Sequence, residues 1–203
     1  MSEQNSSKIT YLFGPDYVNW QYPDDKYLTY VTPAGIADTI VNEANHIYEL
    51  KSKVLWDMFA GIGTDAVRFS YFTGKILCSE INNDTYQSLN ANMDMLNVHN
   101  VSTFKEDCST AEHLSDIVYF DPPWGEQFVS GANFDFDSVI LGKCTVTELM
   151  VKTYARCDMI IKTPFLCDTV ERVVDDKDIL RILTFSQQKV KFYFVKKMTV
   201  NKV

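Results

Sequence analysis

The sequence lacks several features that mark whole classes of proteins. No apolar run approaches the roughly 20 residues that a membrane-spanning helix needs. The first eight residues are polar and lack the apolar segment of a signal peptide, so we expect no secretory signal. The five cysteines form no CxxC pair, and the three histidines are far apart. We therefore expect reduced thiols, no metal site and an intracellular protein of the nucleus or cytoplasm.

Positive charge is scarce over most of the chain. With 19 basic and 27 acidic residues the net charge is −8, which disfavours non-specific binding to nucleic acid. No acidic residue follows Asp178, however, whereas six basic residues do. These basic residues either protect a solvated sheet edge or face the phosphates of a nucleic acid. The candidates for phosphate contacts are Lys189, Lys191, Lys196 and Lys197.

The length and composition are those of one globular domain. The chain has 203 residues, of which 46% are hydrophobic, and it contains no internal repeat. Residues 1–30 are rich in aromatic side chains and predict an irregular extension that is packed on the domain or folded over a site, of which packing is favoured. Residues 31–203 then form the domain itself, which we expect to be a monomer.

Helix and strand patterns alternate from Thr32 onward. Thr32 and Pro33 predict a helix cap and first turn, and the apolar spacing carries that helix to about Leu50. Strands are predicted at 54–57, 75–81, 101–107, 116–121, 159–162, 179–185 and 190–196, and further helices at 64–72, 84–96, 145–156 and 168–174. Only four residues separate the last two strands, which is too short for a crossover. The pattern predicts a doubly wound α/β fold with a seven-stranded, mainly parallel sheet and one antiparallel strand.

A glycine-rich turn, Asp57 to Thr64, follows the first predicted strand. Ligands of open α/β sheets bind beyond the carboxyl ends of the strands. This turn alone also fits a dinucleotide-binding fingerprint. Acidic residues at the next two strand ends supply acceptors: Glu80 for ribose hydroxyls, and Asp107 with the Cys108 amide for an adenine edge. Asp57 disfavours a pyrophosphate beside the turn, because like charges repel at short range.

The fourth predicted strand ends in Asp121-Pro122-Pro123-Trp124. The Asp121 carboxylate and the Pro122 carbonyl can accept the two N–H bonds of an exocyclic base amine and orient its nitrogen for attack. The prolines fix the backbone, which holds that carbonyl in place. Trp124 offers a face on which a purine can stack, worth about 1–3 kcal/mol per base. The tetrapeptide predicts chemistry on a base amine that requires no metal.

These segments resemble the motif series of class I S-adenosylmethionine-dependent methyltransferases, and the tetrapeptide resembles the signature of the amino-methyltransferases among them. The resemblance implies a Rossmann-like fold, with S-adenosylmethionine as cofactor and Asp121, Pro122, Pro123 and Trp124 as catalytic residues. The cofactor-binding residues that it implies are Thr32, Asp57, Phe59, Ala60, Gly61, Gly63, Thr64, Glu80, Ile81, Asp107, Cys108 and Asp121.

Val31-Thr32-Pro33 before a helix, the glycine turn and Asp121 to Gly125 together resemble trimethylguanosine synthase. That family methylates the N2 amine of a 7-methylguanosine RNA cap, so the resemblance implies capped RNA as substrate. It implies that Trp124 stacks on the base, that Phe165 or Tyr27 supplies the opposite face, and that Lys162 replaces a phosphate-binding arginine. The chain departs from the family at Asp121, where serine is usual, at Glu126, where a second glycine is usual, and after the fifth strand, where Leu-Pro-Arg-Asn is usual.

Three other functions are compatible with parts of the pattern. Asp-Pro-Pro-Trp also occurs in adenine-N6 methyltransferases of DNA and RNA, and guanine-N2 enzymes of structured RNA are a further option. An inactive scaffold that binds S-adenosylmethionine is a different class, which the intact Asp121 and Glu80 disfavour. A dehydrogenase has no use for the tetrapeptide. Against DNA, the segment from Gly125 to Leu141 is short for reading a duplex, and the protein is acidic.

Overall fold

The structure is a computed structural model that describes residues 3–15, 19–125, 128–129 and 131–199. The chain divides into two compact units, one ending at Asp107 and the other beginning at Cys108. The main sheet has seven strands, three in the first unit and four in the second. The predicted α/β class is therefore confirmed. Across the described ranges, no helix is long and apolar enough to cross a membrane.

The first unit is a parallel three-stranded segment of sheet with its connecting helices. Its elements are helix α1 (Glu3–Phe13), helix α2 (Ala34–Tyr48), strand β1 (Val54–Asp57), helix α3 (Thr64–Ser70), strand β2 (Lys75–Glu80), helix α4 (Asn83–Met95) and strand β3 (Val101–Lys105). Strand β2 lies between β1 and β3 and is parallel to both. This arrangement brings the carboxyl ends of the strands to one edge, where the glycine turn begins.

Two predictions for the N-terminal region are wrong. Residues 3–13 form helix α1 instead of irregular chain, because polar residues fill its first turns and hide the helical period in the sequence. The aromatic side chains that follow do pack as expected, since Trp20 is buried and stacks on Phe13 with ring centroids 5.2 Å apart. Thr32 does not cap α2, whose cap residue is Pro33; its hydroxyl donates to the Asp65 carboxylate at 3.1 Å instead.

The second unit contains the remaining four strands of the main sheet and a small hairpin. Its elements are strands β4 (Ile117–Phe120), β5 (Ile140–Leu141) and β6 (Cys144–Thr145), helix α5 (Val146–Tyr154), strand β7 (Asp158–Pro164), helix α6 (Thr169–Val173), and strands β8 (Ile179–Phe185) and β9 (Val190–Val195). Strand β7 is parallel to β4, and β9 runs antiparallel to both β7 and β8. Strand β9 is thus the single reversed strand that the short connection predicted.

Two features of this unit were not predicted. Strand β7 continues to Pro164, two residues beyond its expected end, because β9 pairs with it as far as Val190. Strands β5 and β6 form a separate two-stranded sheet inside the segment that was expected to be a loop. Each of these strands has only two residues, which is too few to show an alternating pattern.

Candidate active site

The turn after β1 needs glycine at two positions. Gly61 and Gly63 have positive φ angles of 55° and 90°, a region that residues with a Cβ rarely adopt. A Cβ on Gly63 would lie 2.5 Å from the Met93 Cε atom and 2.7 Å from Leu89 Cδ1, both on α4. A Cβ on Gly61 would lie 2.1 Å from the hydroxyl oxygen of Tyr27. The glycines therefore permit both the turn geometry and the close packing around it.

The carboxylate of Glu80 binds the glycine turn directly. One of its oxygens accepts from the Gly61 N–H at 3.1 Å, and the other accepts from the Asn82 N–H at 2.7 Å. Burial raises the pKa of Glu80, whereas these backbone donors act to lower it. The structure thus brings Glu80 together with the predicted turn, at the carboxyl end of β2.

Tyr27 lies against the same turn. Its hydroxyl oxygen accepts from the Ile62 N–H at 3.1 Å. The sequence comparison with cap enzymes placed this tyrosine on the base, whereas the contact observed is with the residues expected to bind the cofactor. The N–H groups of the turn therefore donate to the Glu80 carboxylate and to the Tyr27 hydroxyl oxygen. A turn that binds oxygen atoms beside a carboxylate fits S-adenosylmethionine, which carries a carboxylate, an ammonium and ribose hydroxyls.

Asn92 on α4 supports the turn and was not identified from the sequence. Its side-chain amide is buried and donates to the carbonyl oxygens of Ile62 at 3.0 Å and Gln21 at 2.9 Å. Its side-chain oxygen accepts from the Gln21 N–H at 2.7 Å. The available signal was the position of an asparagine among the apolar residues of α4, next to Met93.

The other predicted cofactor residues of the first unit occupy varied environments. Asp57 is buried at the end of β1, and Ala60 donates from its N–H to the Ser79 carbonyl at 3.0 Å. Ile81 is 66% exposed directly after β2. Asp107 was expected to end β3, but it lies two residues beyond Lys105, where pairing with β2 stops. The remaining members are Phe59 and Thr64, both half-buried, and Thr32, described above.

In the second unit, Asp121 follows β4 and pairs with a lysine of the neighbouring strand. The Lys162 ammonium donates to Asp121 Oδ2 at 2.6 Å. Strand register explains the pair, because Phe120 of β4 lies opposite Ile161 of β7. Burial raises the pKa of Asp121, and the charge and hydrogen bond of Lys162 oppose that rise. Lys162 is only 6% exposed, so its geometry favours this pairing over the predicted phosphate contact.

Trp124 is half-buried beside this ion pair. The Lys162 ammonium lies 5.9 Å from the centroid of the indole ring. Phe128 meets the indole edge-on, with centroids 4.7 Å apart. Of the two prolines that separate Asp121 from Trp124, Pro122 is buried and Pro123 is exposed. The tetrapeptide thus places a carboxylate and an aromatic ring around one lysine side chain, while Cys108, at the start of this unit, is buried.

A pocket of about 270 Å³ brings two further predicted residues together. Its lining residues are Phe128, Gly131, Ala132, Pro164, Phe165, Leu166, Ser186 and Lys189. Phe165 and Lys189 also share a backbone hydrogen bond of 2.9 Å. Lys191, by contrast, binds the Glu171 carboxylate and the Cys167 carbonyl at 2.9 and 2.8 Å. Of the other predicted phosphate contacts, Lys196 and Lys197 are exposed.

Comparison with known proteins identifies the family of the chain. A family model described as RNA cap guanine-N2 methyltransferase matches residues 52–202, which include the glycine turn, Glu80, the tetrapeptide and Lys162. The chain belongs to this methyltransferase family. Its fold is that of the class I methyltransferases among the solved structures described below. An uncharacterized protein of Acanthamoeba polyphaga mimivirus is 27% identical to this methyltransferase over 157 residues, which are 73% of the chain and 60% of that relative.

Solved structures show that the chain shares its fold with RNA methyltransferases. A Pyrococcus horikoshii protein provisionally assigned as an RNA methyltransferase has a TM-score of 0.62 at 18% identity, covering 87% of this chain and 93% of its own. The T. thermophilus 16S rRNA guanine-N2 methyltransferase, solved with AdoMet and guanosine, has a TM-score of 0.60 at 16% identity, covering 90% and 45%. The M. jannaschii tRNA m1G37 methyltransferase has a TM-score of 0.56 at 14% identity, covering 81% and 49%.

Proposed function

We propose that the chain transfers a methyl group from S-adenosylmethionine to the exocyclic N2 amine of the 7-methylguanosine cap of an RNA. The observation that carries the proposal of an exocyclic base amine is the Asp121 carboxylate at the end of β4, followed by two prolines and Trp124. Membership of a family described by this reaction supports the same substrate.

The tetrapeptide contributes orientation and charge. Asp121 and the Pro122 carbonyl accept the N–H bonds of the base amine, so that its nitrogen lone pair faces the methyl group. The carboxylate also stabilises the positive charge that develops on that nitrogen. Trp124 stacks on the 7-methylguanine ring, whose positive charge strengthens its attraction to an aromatic face. As the N–C bond forms, the bond from the methyl group to sulfur breaks and S-adenosylhomocysteine is left, and the amine then loses its extra proton to water.

The first unit supplies the groups that hold the cofactor. The glycine turn holds the methionine moiety, and Asp57 offsets its ammonium. Glu80 accepts from the ribose hydroxyls, a role that suits a carboxylate already held in place by Gly61 and Asn82. S-adenosylmethionine itself provides the electrophilic methyl group on its sulfonium.

Adenine N6 is the second candidate target. It is favoured by Asp121, because cap guanine-N2 enzymes usually have serine at this position whereas the adenine-N6 enzymes have aspartate. Methylation of guanine N2 and of adenine N6 gives two different nucleosides, so identifying the product nucleoside distinguishes the two candidates directly.

The test is incubation of the full chain with labelled S-adenosylmethionine and three substrates: 7-methylguanosine diphosphate, uncapped RNA and DNA. Mass spectrometry of the nucleosides should find N2-methylated 7-methylguanosine. The Asp121→Ala variant should lose this product while binding S-adenosylmethionine with nearly unchanged affinity in calorimetry. N6-methyladenosine as the product would replace the cap proposal with the second candidate, and cofactor binding without any product would support a scaffold.

A further inference from the structure

Lys162 is a buried cation in an otherwise uncharged part of strand β7. The residues from Met159 to Pro164 are all buried, and Lys162 is the one charged residue among them. Burying a lysine is costly unless its ammonium is paired. Apolar residues of similar volume often replace such ion pairs without loss of stability. The fold alone therefore does not explain a lysine at this position.

The charged groups around the end of β7 divide into two sets. Glu171 of α6 accepts from the Tyr193 hydroxyl and the Lys191 ammonium, both on β9. Lys162 instead points to Asp121 and lies within 5.9 Å of the Trp124 ring. Within the ranges that the structure covers, Lys162 is the charged side chain that forms an ion pair with Asp121.

The charge state of Asp121 decides whether it can hold a base amine. An ionised carboxylate only accepts hydrogen bonds, whereas a protonated carboxyl also donates one. The exocyclic amine of a base presents N–H donors, which match an acceptor. The Asp121 oxygen that is not bound by Lys162 is free to accept such a donor only if the carboxyl is ionised.

We propose that Lys162 is a positioning residue, whose ammonium holds Asp121 as an ionised, oriented acceptor for the base amine. The inference rests on the proposed function, since it concerns the amine bound by the same tetrapeptide. Lys162 thus acts through Asp121 instead of binding a phosphate.

The sign of the pH effect follows from the environment of Asp121. Burial raises the pKa of this carboxyl, and Lys162 acts in the opposite direction. Methylation of guanine needs the ionised form, so that activity is present above the pKa of Asp121 and is lost as the pH falls through it. Removing the ammonium raises that pKa further and moves the acid limb of the profile to higher pH.

The experiment compares kcat/KM for 7-methylguanosine diphosphate against pH in the wild type, Lys162→Met and Lys162→Arg. At a pH on the acid limb, the methionine variant should lose activity about tenfold for each pH unit by which the limb moves, and it should recover at high pH. Arginine keeps the charge and should hold the limb near its wild-type position. In an Asp121→Asn background the further change Lys162→Met should leave the profile unshifted. Lys152→Met, an exposed lysine on α5, is the matched control.

A second measurement separates this inference from the proposed function. The carbon-13 NMR signal of the Asp121 carboxyl, followed against pH in the protein without RNA, should titrate at higher pH in Lys162→Met than in the wild type. An unchanged titration and an unchanged limb would overturn the inference even if the cap is the substrate. Methylation of adenine by the wild type would refute the cap proposal, whereas the carboxyl titration would still report the effect of Lys162 on Asp121.

Discussion

Trp124 is the side chain whose removal tests base stacking most directly. Its ring is half-buried, and both Phe128 and the Lys162 ammonium lie near it. Stacking of a base on an aromatic ring contributes about 1–3 kcal/mol. Trp124→Ala should therefore raise KM for 7-methylguanosine diphosphate roughly 5- to 150-fold and lower kcat. Trp124→Phe should recover most of the loss.

Steady-state kinetics measure this effect, with Tyr71→Ala as the control because Tyr71 is 65% exposed on the first unit. Cofactor affinity, measured by calorimetry, should stay the same in all three variants. If Trp124→Ala leaves KM and kcat unchanged, the base does not stack on this ring.

Residues within a local sequence motif were predictable from the sequence. Contacts between residues that are far apart in the sequence were not. Gly61 and Gly63 stand in a recognisable turn, and Asp121 stands in a recognisable tetrapeptide. The partnership of Lys162 with Asp121 depends on strand register over 41 positions of sequence. The contact between Tyr27 and Ile62 likewise joins residues 35 positions apart, so that neither spacing nor composition revealed it.

Helix α4 supports the glycine turn through one buried amide. Asn92 binds the backbone of Ile62 and of Gln21, so it connects the helix to the turn and to the N-terminal segment. Asn92→Ala leaves buried backbone groups without their partner, at a cost of about 1–3 kcal/mol. We expect a lower free energy of unfolding in urea together with weaker binding of S-adenosylmethionine.

The control for this variant is Asn42→Ala on α2. Asn42 is exposed, and its amide donates to the Asp38 carbonyl of the same helix at 2.8 Å. It should change stability by a few tenths of a kcal/mol at most, within the range of ordinary surface substitutions. Loss of stability in Asn92→Ala with full cofactor affinity would show that the amide supports the core but not the turn.

Helices and strands were predictable where they were long enough to show a repeating pattern of apolar residues. Helix α4, with Leu89 and Met93 on its buried face, ends within a residue or two of its predicted bounds. Helix α1 was missed because its apolar side chains lie mainly in its last turn, before Gly14 and Pro15. The antiparallel pairing of β8 and β9 was predictable because the short connection between them excludes a crossover.

The whole molecule has a net charge of −8, yet it belongs to a family that acts on RNA. Its basic residues after Asp178 offer a way to attract phosphates in spite of that charge. The Lys191 ammonium donates to Glu171, which reduces its attraction to RNA phosphates, whereas Lys196 and Lys197 are exposed. We expect the double variant Lys196→Ala, Lys197→Ala to bind a capped oligonucleotide more weakly and with less dependence on salt.

The size of this effect follows from counterion release. Each phosphate neutralised on a single strand contributes about 0.7 to the slope of log K against log salt concentration, so two lost contacts reduce the slope by roughly 1.4. Fluorescence anisotropy of a labelled capped oligonucleotide, measured from low to moderate salt, gives this slope. The control, Lys51→Ala with Lys75→Ala, removes two exposed lysines from the first unit and keeps the same net charge as the test variant. Equal slopes in the two double variants would mean that the total charge, and not these positions, governs RNA binding, and the lysines after β9 would then serve only to keep that end of the sheet solvated.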